Sequence, residues 1–427
     1  YLRRHSYANA VTNDLWRALE EASGQPVGSI MDTWILQGGF PLVRVERDVV
    51  HQEPFSYGAP TGSSSIGTSW KVPLCVRSLD SGSDSKYLLE HDSATIPVSG
   101  TTIVNGGGWG FFRTAYASEQ LRALSTRLGD LDALERAVVL ADTWSSILVG
   151  RSSFSDLFTL ARGMSNFDEP SAWELIGRAV GLADRILDEE GRLILRDVVQ
   201  SLYAPTFARL GWEPCEGESS QASELRALVI GVLGHQGRDE AIIAEAVRRF
   251  DRGEVSGNLA NAVVSITMAQ GRLGDDDVCE QRRASASSPQ EEQRYLYASV
   301  NSGDPRVPVA ALARAFSEVR TQDAPYLVGA LIQNRDAGAQ VWRLAVARMD
   351  EALERFPSIA HPSFVGGIAS FTDAALAHEV RVFHEGHPMP VGQQQVQQLL
   401  DMMDVNVAVA SRNRATLRDE LVAFLRD

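Results

Sequence analysis

The sequence predicts a multidomain, mainly α-helical protein in which a small β-rich segment separates a short helical segment from a long helical array. The chain of 427 residues is longer than a domain with a single hydrophobic core usually is, so two or three domains are expected. Helical spacing of apolar residues changes to strand alternation after about 40 residues, and it returns after the β-rich segment. These observations predict domains at residues 1–45, 46–118 and 119–427.

The junction between the first two segments lies in residues 31–48, MDTWILQGGFPLVRVERD. Apolar residues before the two glycines have helical spacing, whereas Val43, Val45 and Val49 alternate as in a half-buried strand. Pro41 cannot continue a helix, and glycine readily takes the left-handed conformation that ends one. A helix is therefore predicted to end here and a β-domain to begin.

The first segment also predicts two further helices. One lies around Leu2, and the other carries Leu15, Trp16 and Leu19, with Asn13-Asp14 as its N-terminal cap. These helices are too short to form a core alone.

The second segment has the residue pattern expected of a small β-sandwich. Short apolar stretches, separated by clusters of Gly, Ser, Asn and Asp, are SWKVPLCVR, KYLLEH, ATIPV and GFFRTAYA. The stretch VNGGGWG could suggest a phosphate loop, but it lacks the Lys-Ser/Thr ending and no helix follows. Asn105-Gly106 instead favours a β-hairpin turn.

The third segment predicts a stacked, curved array of helical hairpins of the irregular HEAT type. Its hairpins would bury their apolar stripes only against neighbouring hairpins. Ser288-Pro289-Gln290-Glu291 has the spacing of a capping box at the start of one helix. The apolar faces are Leu225, Leu228, Val229 and Val232; Ile243, Ala246, Val247 and Phe250; Leu259, Ala262, Val263 and Ile266; Trp342, Ala345, Val346, Met349, Leu353 and Phe356; and Val396, Leu399, Leu400, Met403 and Val407.

Composition excludes several classes of protein. A formal net charge of −15 argues against a surface that binds nucleic acid or an anionic membrane. No apolar run is long enough to span a membrane, no signal peptide opens the chain, and three scattered cysteines favour a reducing, cytoplasmic location. The start, Tyr1-Leu2-Arg3-Arg4, lacks an initiator methionine, so we expect a piece of a longer protein.

No catalytic or metal-binding motif is predicted from the residues themselves. The stretch HEVRVFHEGH holds His378, Glu379, His384, Glu385 and His387, but no histidine pair has the H-E-x-x-H spacing of a zinc helix. Its Gly-x-Pro ending favours a solvated helix end. The chain also lacks a G-x-S-x-G elbow and a recognisable nucleophilic cysteine.

A longer pattern runs through residues 1–45, YLRRHSYANAVTNDLWRALEEASGQPVGSIMDTWILQGGFPLVRV. It resembles the end of the catalytic domain in the aminopeptidase N-like zinc metallopeptidases, the gluzincin aminopeptidases. The resemblance continues in WKVPL, VNGGGWGFFRTAY, LERAVVLADTWSSILVG and RLGWEPCEGESSQASELRALVIGVLG. The matching positions of the first pattern are Tyr1, Leu2, Asn9, Ala10, Asp14, Leu15, Trp16, Met31, Trp34, Gln37, Gly39, Pro41 and Val43.

The resemblance implies that residues 1–45 are the last helices of a thermolysin-like catalytic domain, followed by a linking β-sandwich and a helical lid. The zinc ligands and catalytic residues of the family would precede Tyr1, so no zinc or catalytic residue is expected in this chain. The implied parent removes N-terminal residues from peptides. The implied partners are its own catalytic domain and peptide substrates. The alternative is a non-catalytic interaction or scaffold protein of the same fold that has lost its zinc.

The resemblance also implies that the helical array encloses the active-site chamber and gates the entry of peptides. Arginines on its concave face could bind the C-terminal carboxylate of a peptide. Arg335 and Arg343 flank the break NRDAGAQ between two predicted helices and are the candidate substrate-binding residues. The alternative, which residue statistics favour, is that both are ordinary solvated arginines.

Overall fold

The computed structural model describes residues 1–58, 69–96, 100–255 and 257–426, and the described chain is mainly helical with a small sheet region. This confirms the predicted fold class at that level. The chain divides into two compact units, Tyr1–Gly163 and Met164–Asp427. No helix in these ranges is both long enough and apolar enough to cross a membrane.

Within the described ranges, the first unit contains the strands and five α-helices. Its helices are α1 Thr12–Ser23, α2 Val27–Ile35, α3 Ser118–Ser125, α4 Ala133–Leu148 and α5 Phe154–Arg162. Its strands are β1 Pro41–Glu46, β2 Val49–Pro54, β3 Val72–Ser78, β4 Asp84–Leu89, β5 Ser93–Thr95, β6 Thr102–Ile103 and β7 Arg113–Tyr116.

The strands form two small sheets. The first has the order β5-β2-β1-β7, with β1 antiparallel to β2 and parallel to β7, and the second has the order β4-β3-β6. Four predicted strand stretches correspond to β3, β4, β5 and β7. Pro97 and Val98, at the end of the predicted strand ATIPV, lie outside the described residues.

The predicted helix-to-strand junction is confirmed. Helix α2 ends at Ile35, Gly39 takes the left-handed conformation with φ of 87°, and β1 begins at Pro41. The predicted helix around Leu2 is wrong, because turns occupy that region. Asn13-Asp14 does not precede α1 but lies in its first turn, where the Asp14 carboxylate accepts a hydrogen bond from the Val11 N–H at 3.0 Å.

The hairpin turn predicted at Asn105-Gly106 is also wrong. Strands β6 and β7 on either side belong to different sheets, and a 3₁₀ turn, Gly106–Gly108, lies between them. The Asn105 side chain bonds both the N–H and the carbonyl of Gly110, at 2.8 and 3.1 Å. The Gly107 N–H donates to Glu135 of α4 at 2.8 Å. The asparagine therefore closes a wider loop, anchored to a helix.

The second unit is built of α-helices joined by short turns. These helices are α6 Pro170–Ile186, α7 Glu189–Leu210, α8 Ser220–His235, α9 Glu240–Arg252, α10 Ala260–Met268, α11 Asp275–Ala284, α12 Pro289–Leu296, α13 Arg306–Ala315, α14 Ala324–Ile332, α15 Gly338–Val346, α16 Met349–Arg355, α17 His361–Phe364, α18 Ala374–Gly386, α19 Gln393–Asn413 and α20 Leu417–Arg426.

Most of the periodic faces predicted for this region lie on single helices: α8, α9, α10 and α19. Ser288 caps α12 as predicted, by accepting from the Glu291 N–H at 3.2 Å, but the Glu291 carboxylate bonds Ser287 rather than the cap residue. The face from Trp342 to Phe356 is divided between α15 and α16. Its residues nevertheless share one core with α13, α14, α18 and α19.

Candidate functional site

The second unit contains a cavity of about 700 Å³, which we call the cationic cavity. Its lining residues come from α6 and α7, from the end of α8 and the turn after it, and from the segments around residues 269, 300 and 335. Its polar and charged lining residues are Asp184, Arg185, Glu189, Arg192, Arg196, His235, Gln236, Arg238, Asn301, Ser302, Gln333, Asn334, Arg335 and Asp336.

The lining of the cationic cavity is positively charged, although the chain as a whole is strongly acidic. Five arginines face three acidic residues, which leaves an excess of two positive charges in a chain of net charge −15. A concave, partly desolvated surface of one sign attracts ligands of the opposite sign. The cavity is therefore suited to an anionic ligand.

The predicted site residue Arg335 lines the cationic cavity, where two carboxylates already hold it. It donates to Asp184 at 2.9 Å and to its neighbour Asp336 at 3.0 Å. Burial would lower the pKa of Arg335, but these two contacts outweigh burial and raise it. Arg335 also holds the pKa of Asp336 below its usual value. Its guanidinium is thus fixed in place and partly neutralised.

Three other arginines of the cavity, Arg185, Arg196 and Arg238, form no ion pair within the part of the chain that the structure describes. Arg185 donates to the Gln333 carbonyl, and Arg238 donates to the Gln270 side chain at 3.1 Å. The Arg196 side chain forms neither an ion pair nor a hydrogen bond within the described residues. These three guanidiniums retain donors that a bound anion could accept from.

Arg238 has a left-handed backbone, with φ of 47°. This conformation is costly for a residue with a side chain, and such strain concentrates at functional sites. Adjacent to it, His235 shares a hydrogen bond of 3.0 Å with Ser265, and burial followed by the charge of Arg238 lowers the pKa of His235 to about 4. His235 is therefore neutral near pH 7 and adds no charge to the cavity.

The other predicted site residue, Arg343, is placed elsewhere. It lies exposed on α15, pairs with Glu379 of α18 at 2.7 Å, and is not among the residues that line the cationic cavity. The structure therefore does not bring Arg335 and Arg343 to one cavity. The role of each in substrate binding stays a prediction.

The stretch HEVRVFHEGH forms the end of α18, which stops at Gly386. His378, Glu379, Glu385 and His387 are exposed, as predicted for a solvated helix end, but His384 is buried. Among the described residues, no three His, Cys, Asp or Glu side chains lie close enough to hold a metal ion. We assign no residue of this chain to the zinc that the family resemblance implies.

A second cavity of about 650 Å³ adjoins the first, and we call it the amide-lined groove. Asn301 lines both cavities. The same side of α8 contributes Gly231 to the groove and His235, one helical turn later, to the cavity. The amide side chains that line the groove are Asn258, Asn261, Gln290, Gln293 and Asn301.

Sequence reasoning missed Arg185, Arg196 and Arg238 because separate elements contribute them and only the fold brings them to one cavity. One local signal was available. Arg192 and Arg196 are four residues apart in α7, so they lie on one face. The partners of that face could not be read from the sequence.

Comparison with known proteins shows similarity to aminopeptidases along most of the chain. Residues 102–405 match the family described as "ERAP1-like C-terminal domain". The rice protein "Aminopeptidase M1-B" is 28% identical, over 98% of this chain and 51% of its own length. "Aminopeptidase M1" of Arabidopsis thaliana is 26% identical, over 95% of this chain and 50% of its own length. "Puromycin-sensitive aminopeptidase" of Caenorhabditis elegans is 30% identical, over 57% of this chain and 27% of its own length.

The chain thus spans about half the length of the plant relatives that it matches. The sequence motifs of the first unit and the helical second unit agree with this match, and the predicted resemblance is confirmed. The chain belongs to the family of ERAP1-like C-terminal domains, which form the C-terminal part of M1 aminopeptidases.

Proposed function

We propose that this chain acts as the C-terminal part of a zinc aminopeptidase that removes N-terminal residues from peptides. In this proposal the two sheets of the first unit form the linking β-sandwich. Residues 119–427 form the predicted HEAT-like superhelical lid, which encloses the active-site chamber and gates the entry of peptides. The observation that carries the proposal is the cationic cavity of the second unit, because a peptide has a negative charge at its C-terminus.

The cavity would bind the end of the substrate that is not cleaved. An aminopeptidase acts at the N-terminus, so a contact to the distant carboxylate can hold a long peptide without touching the reacting bond. Guanidinium groups suit this task because they donate two parallel hydrogen bonds to a carboxylate. Arg335 is one candidate, and Asp184 and Asp336 would keep its side chain in a fixed orientation.

The amide-lined groove supplies a path for the residues that precede the C-terminus. Asparagine and glutamine side chains carry both donors and acceptors, so they can bond the N–H and carbonyl groups of an extended peptide without reading its sequence. Gln290, Gln293 and Asn301 form no side-chain hydrogen bond within the described ranges, and all three are exposed. The groove therefore favours peptides of varied sequence over one defined ligand.

The catalytic domain of the parent would hold the zinc. That catalytic domain is the proposed partner of this chain. The zinc would lower the pKa of its bound water and polarise the scissile carbonyl. The described residues of this chain provide no fit for that metal, so we derive no catalytic step from them.

The test is kinetic and uses this chain joined to the catalytic half of an M1 relative. Cleavage of a long peptide is compared with cleavage of a single aminoacyl amide, which is too short to reach the cavity. We expect Arg335→Ala to raise KM for the long peptide by roughly tenfold, about 1.4 kcal/mol, because a charge-assisted contact is lost. The short substrate should be unaffected.

Arg343→Ala separates the two predicted residues in the same assay. Because Arg343 lies outside the cationic cavity, we expect its replacement to leave both substrates unchanged. An effect of Arg343→Ala confined to the long peptide would instead place the carboxylate contact on α15. Equal effects of Arg335→Ala on both substrates, or on neither, would reject Arg335 as a substrate contact.

A further inference from the structure

The starting observation is an imbalance of charge within the cationic cavity. Two of its acidic residues, Asp184 and Asp336, are bound to Arg335, and Asp184 also lies 3.8 Å from Arg192. The third, Glu189, is exposed on the first turn of α7. No ion pair reaches Arg185, Arg196 or Arg238 within the described residues. The cavity therefore holds more guanidinium donors than one carboxylate can occupy.

These arginines also act on one another. Burial lowers the pKa of Arg238, and the positive charges of Arg196 and Arg335 lower it further. Burial likewise lowers the pKa of Arg185, where the charge of Arg335 opposes that of Asp184. Groups that perturb each other in this way lie close together and repel, so their charge is only partly compensated by the protein. An anion bound between them would relieve this repulsion.

We propose that the cationic cavity selects peptides whose C-terminal residue is aspartate or glutamate, with Arg335 binding the C-terminal carboxylate and Arg185, Arg196 and Arg238 binding the acidic side chain. This inference rests on the proposed function, since it specifies which peptides the cavity prefers. The C-terminal carboxylate and the acidic side chain are separated by only a few bonds, so one cavity can contain both. Together they carry two negative charges, which equals the excess of positive charge in the lining.

The cavity would distinguish an acidic C-terminal residue from a neutral one by the number of negative charges that the residue carries. A peptide that ends in asparagine has the same shape as one that ends in aspartate but carries a single negative charge, so one positive charge of the lining would remain uncompensated. Truncating one side of a desolvated charge pair is costly, because the other charge stays buried without a partner. The cavity therefore discriminates by charge and not by size.

Two carboxylates close together also occur in free dicarboxylates such as succinate. The amide-lined groove favours the peptide as their source. It adjoins the cationic cavity through Asn301 and offers hydrogen-bonding side chains to the residues that precede the C-terminus. A free dicarboxylate would leave that groove empty.

The test measures binding of fluorescent peptides to the full chain by anisotropy. Three peptides share one neutral sequence and end in Asp, Asn or Ala. We expect the Asp peptide to bind about tenfold more tightly than the Asn peptide, and the Asn and Ala peptides to bind alike. Succinate should displace the Asp peptide only at concentrations well above the peptide's own Kd.

Two variants locate the contact. Arg196→Gln removes a side chain that has no ion-pair or hydrogen-bond partner among the described residues, so folding should be preserved. It should reduce the preference for the Asp peptide to less than threefold. Arg252→Gln, at an exposed arginine at the end of α9 that lines neither cavity, is the matched control and should leave the preference unchanged. The free energy of unfolding of both variants is measured alongside.

The possible outcomes separate this inference from the function on which it rests. Equal binding of the Asp and Asn peptides would overturn the acidic preference but leave a peptide site in place. If none of the peptides bound, both the preference and the proposed function of the cavity would be rejected. If succinate bound as tightly as the Asp peptide or more tightly, the cavity would be assigned to small dicarboxylates.

Discussion

At the residue scale, the partners of each arginine in the second unit differ more than the residue type suggests. Arg335 contacts two carboxylates, Arg343 contacts one on an exposed surface, and Arg196 contacts none within the described residues. An exposed pair such as that of Arg343 contributes little to stability. An unpaired arginine in a cavity has donors available for a ligand. The capacity of an arginine to bind an anion therefore depends on the donors that its protein partners leave available.

His384 gives a prediction about pH at the same scale. Burial, followed by the charge of His387, lowers its pKa to about 4, and neither ring nitrogen has a hydrogen-bond partner in the described part of the chain. The unfolded chain binds a proton near the ordinary pKa of 6.5, so it gains protons first as the pH falls. The stability contributed by neutral His384 is present above pH 6.5 and is lost as the pH falls towards 4.

We expect His384→Leu to reduce the loss of stability between pH 7 and pH 5 by on the order of 1–2 kcal/mol. Urea unfolding of the full chain at both pH values measures the effect. His378→Gln, on the exposed side of the same helix, is the control and should behave as the unchanged protein. An undiminished pH dependence in the Leu variant would show that His384 is protonated without cost in the folded chain.

Residues whose role is local could be predicted from the sequence, whereas those whose role depends on the fold could not. Ser288 caps α12 because its side chain and the Glu291 N–H are separated by only three residues. Asn105-Gly106 has the composition of a hairpin turn, yet β6 and β7 pair with strands of two different sheets. His384 has the same flanking residues as a solvated histidine, and only packing shows that it is buried.

At the element scale, helix α14 comes unusually close to α17 and to the 3₁₀ turn Gly366–Ser370 at two glycines. A Cβ atom on Gly329 would lie 2.1 Å from the Ser363 carbonyl oxygen, and one on Gly367 would lie 2.4 Å from the Gly329 carbonyl oxygen. Both contacts involve backbone atoms, which cannot rotate away. These two glycines therefore set the separation of α14 from α17 and from this turn, which all contribute to one core of the second unit.

We expect Gly367→Ala to lower the free energy of unfolding by about 2–3 kcal/mol, because the backbones must move apart and loosen the core. Gly366→Ala is the matched control, since a Cβ atom there would meet nothing within 4 Å, and its effect should stay within about 0.5 kcal/mol. Chemical denaturation of both variants gives the comparison. Similar stabilities for the two would refute the close approach of α14 and this turn.

The helices themselves were largely predictable, because apolar periodicity is a local property. It located α8, α9, α10 and α19. It did not predict the break between α15 and α16, since both helices face one core and the apolar spacing continues across the interruption. Apolar periodicity could not predict the cationic cavity either, because the arginines of the cavity come from α6, α7 and the segments after α8 and α14.

At the scale of the whole molecule, the sign of the cationic cavity is opposite to that of the chain. A net charge of −15 repels anions at long range, so only a concentrated local excess of arginine can bind them. Salt screens the long-range repulsion and weakens the exposed part of the attraction. Binding should therefore depend on the contacts within the cavity more than on the overall field.

The binding of one peptide in two forms, with a free C-terminal carboxylate and with a C-terminal amide, tests the central claim most directly. Both forms are titrated into the full chain at pH 7 by calorimetry. If the cationic cavity binds the C-terminus, the free acid should bind about tenfold more tightly than the amide, and Arg335→Ala should narrow that difference. Equal affinities for the acid and the amide, or no binding of either, would contradict the claim.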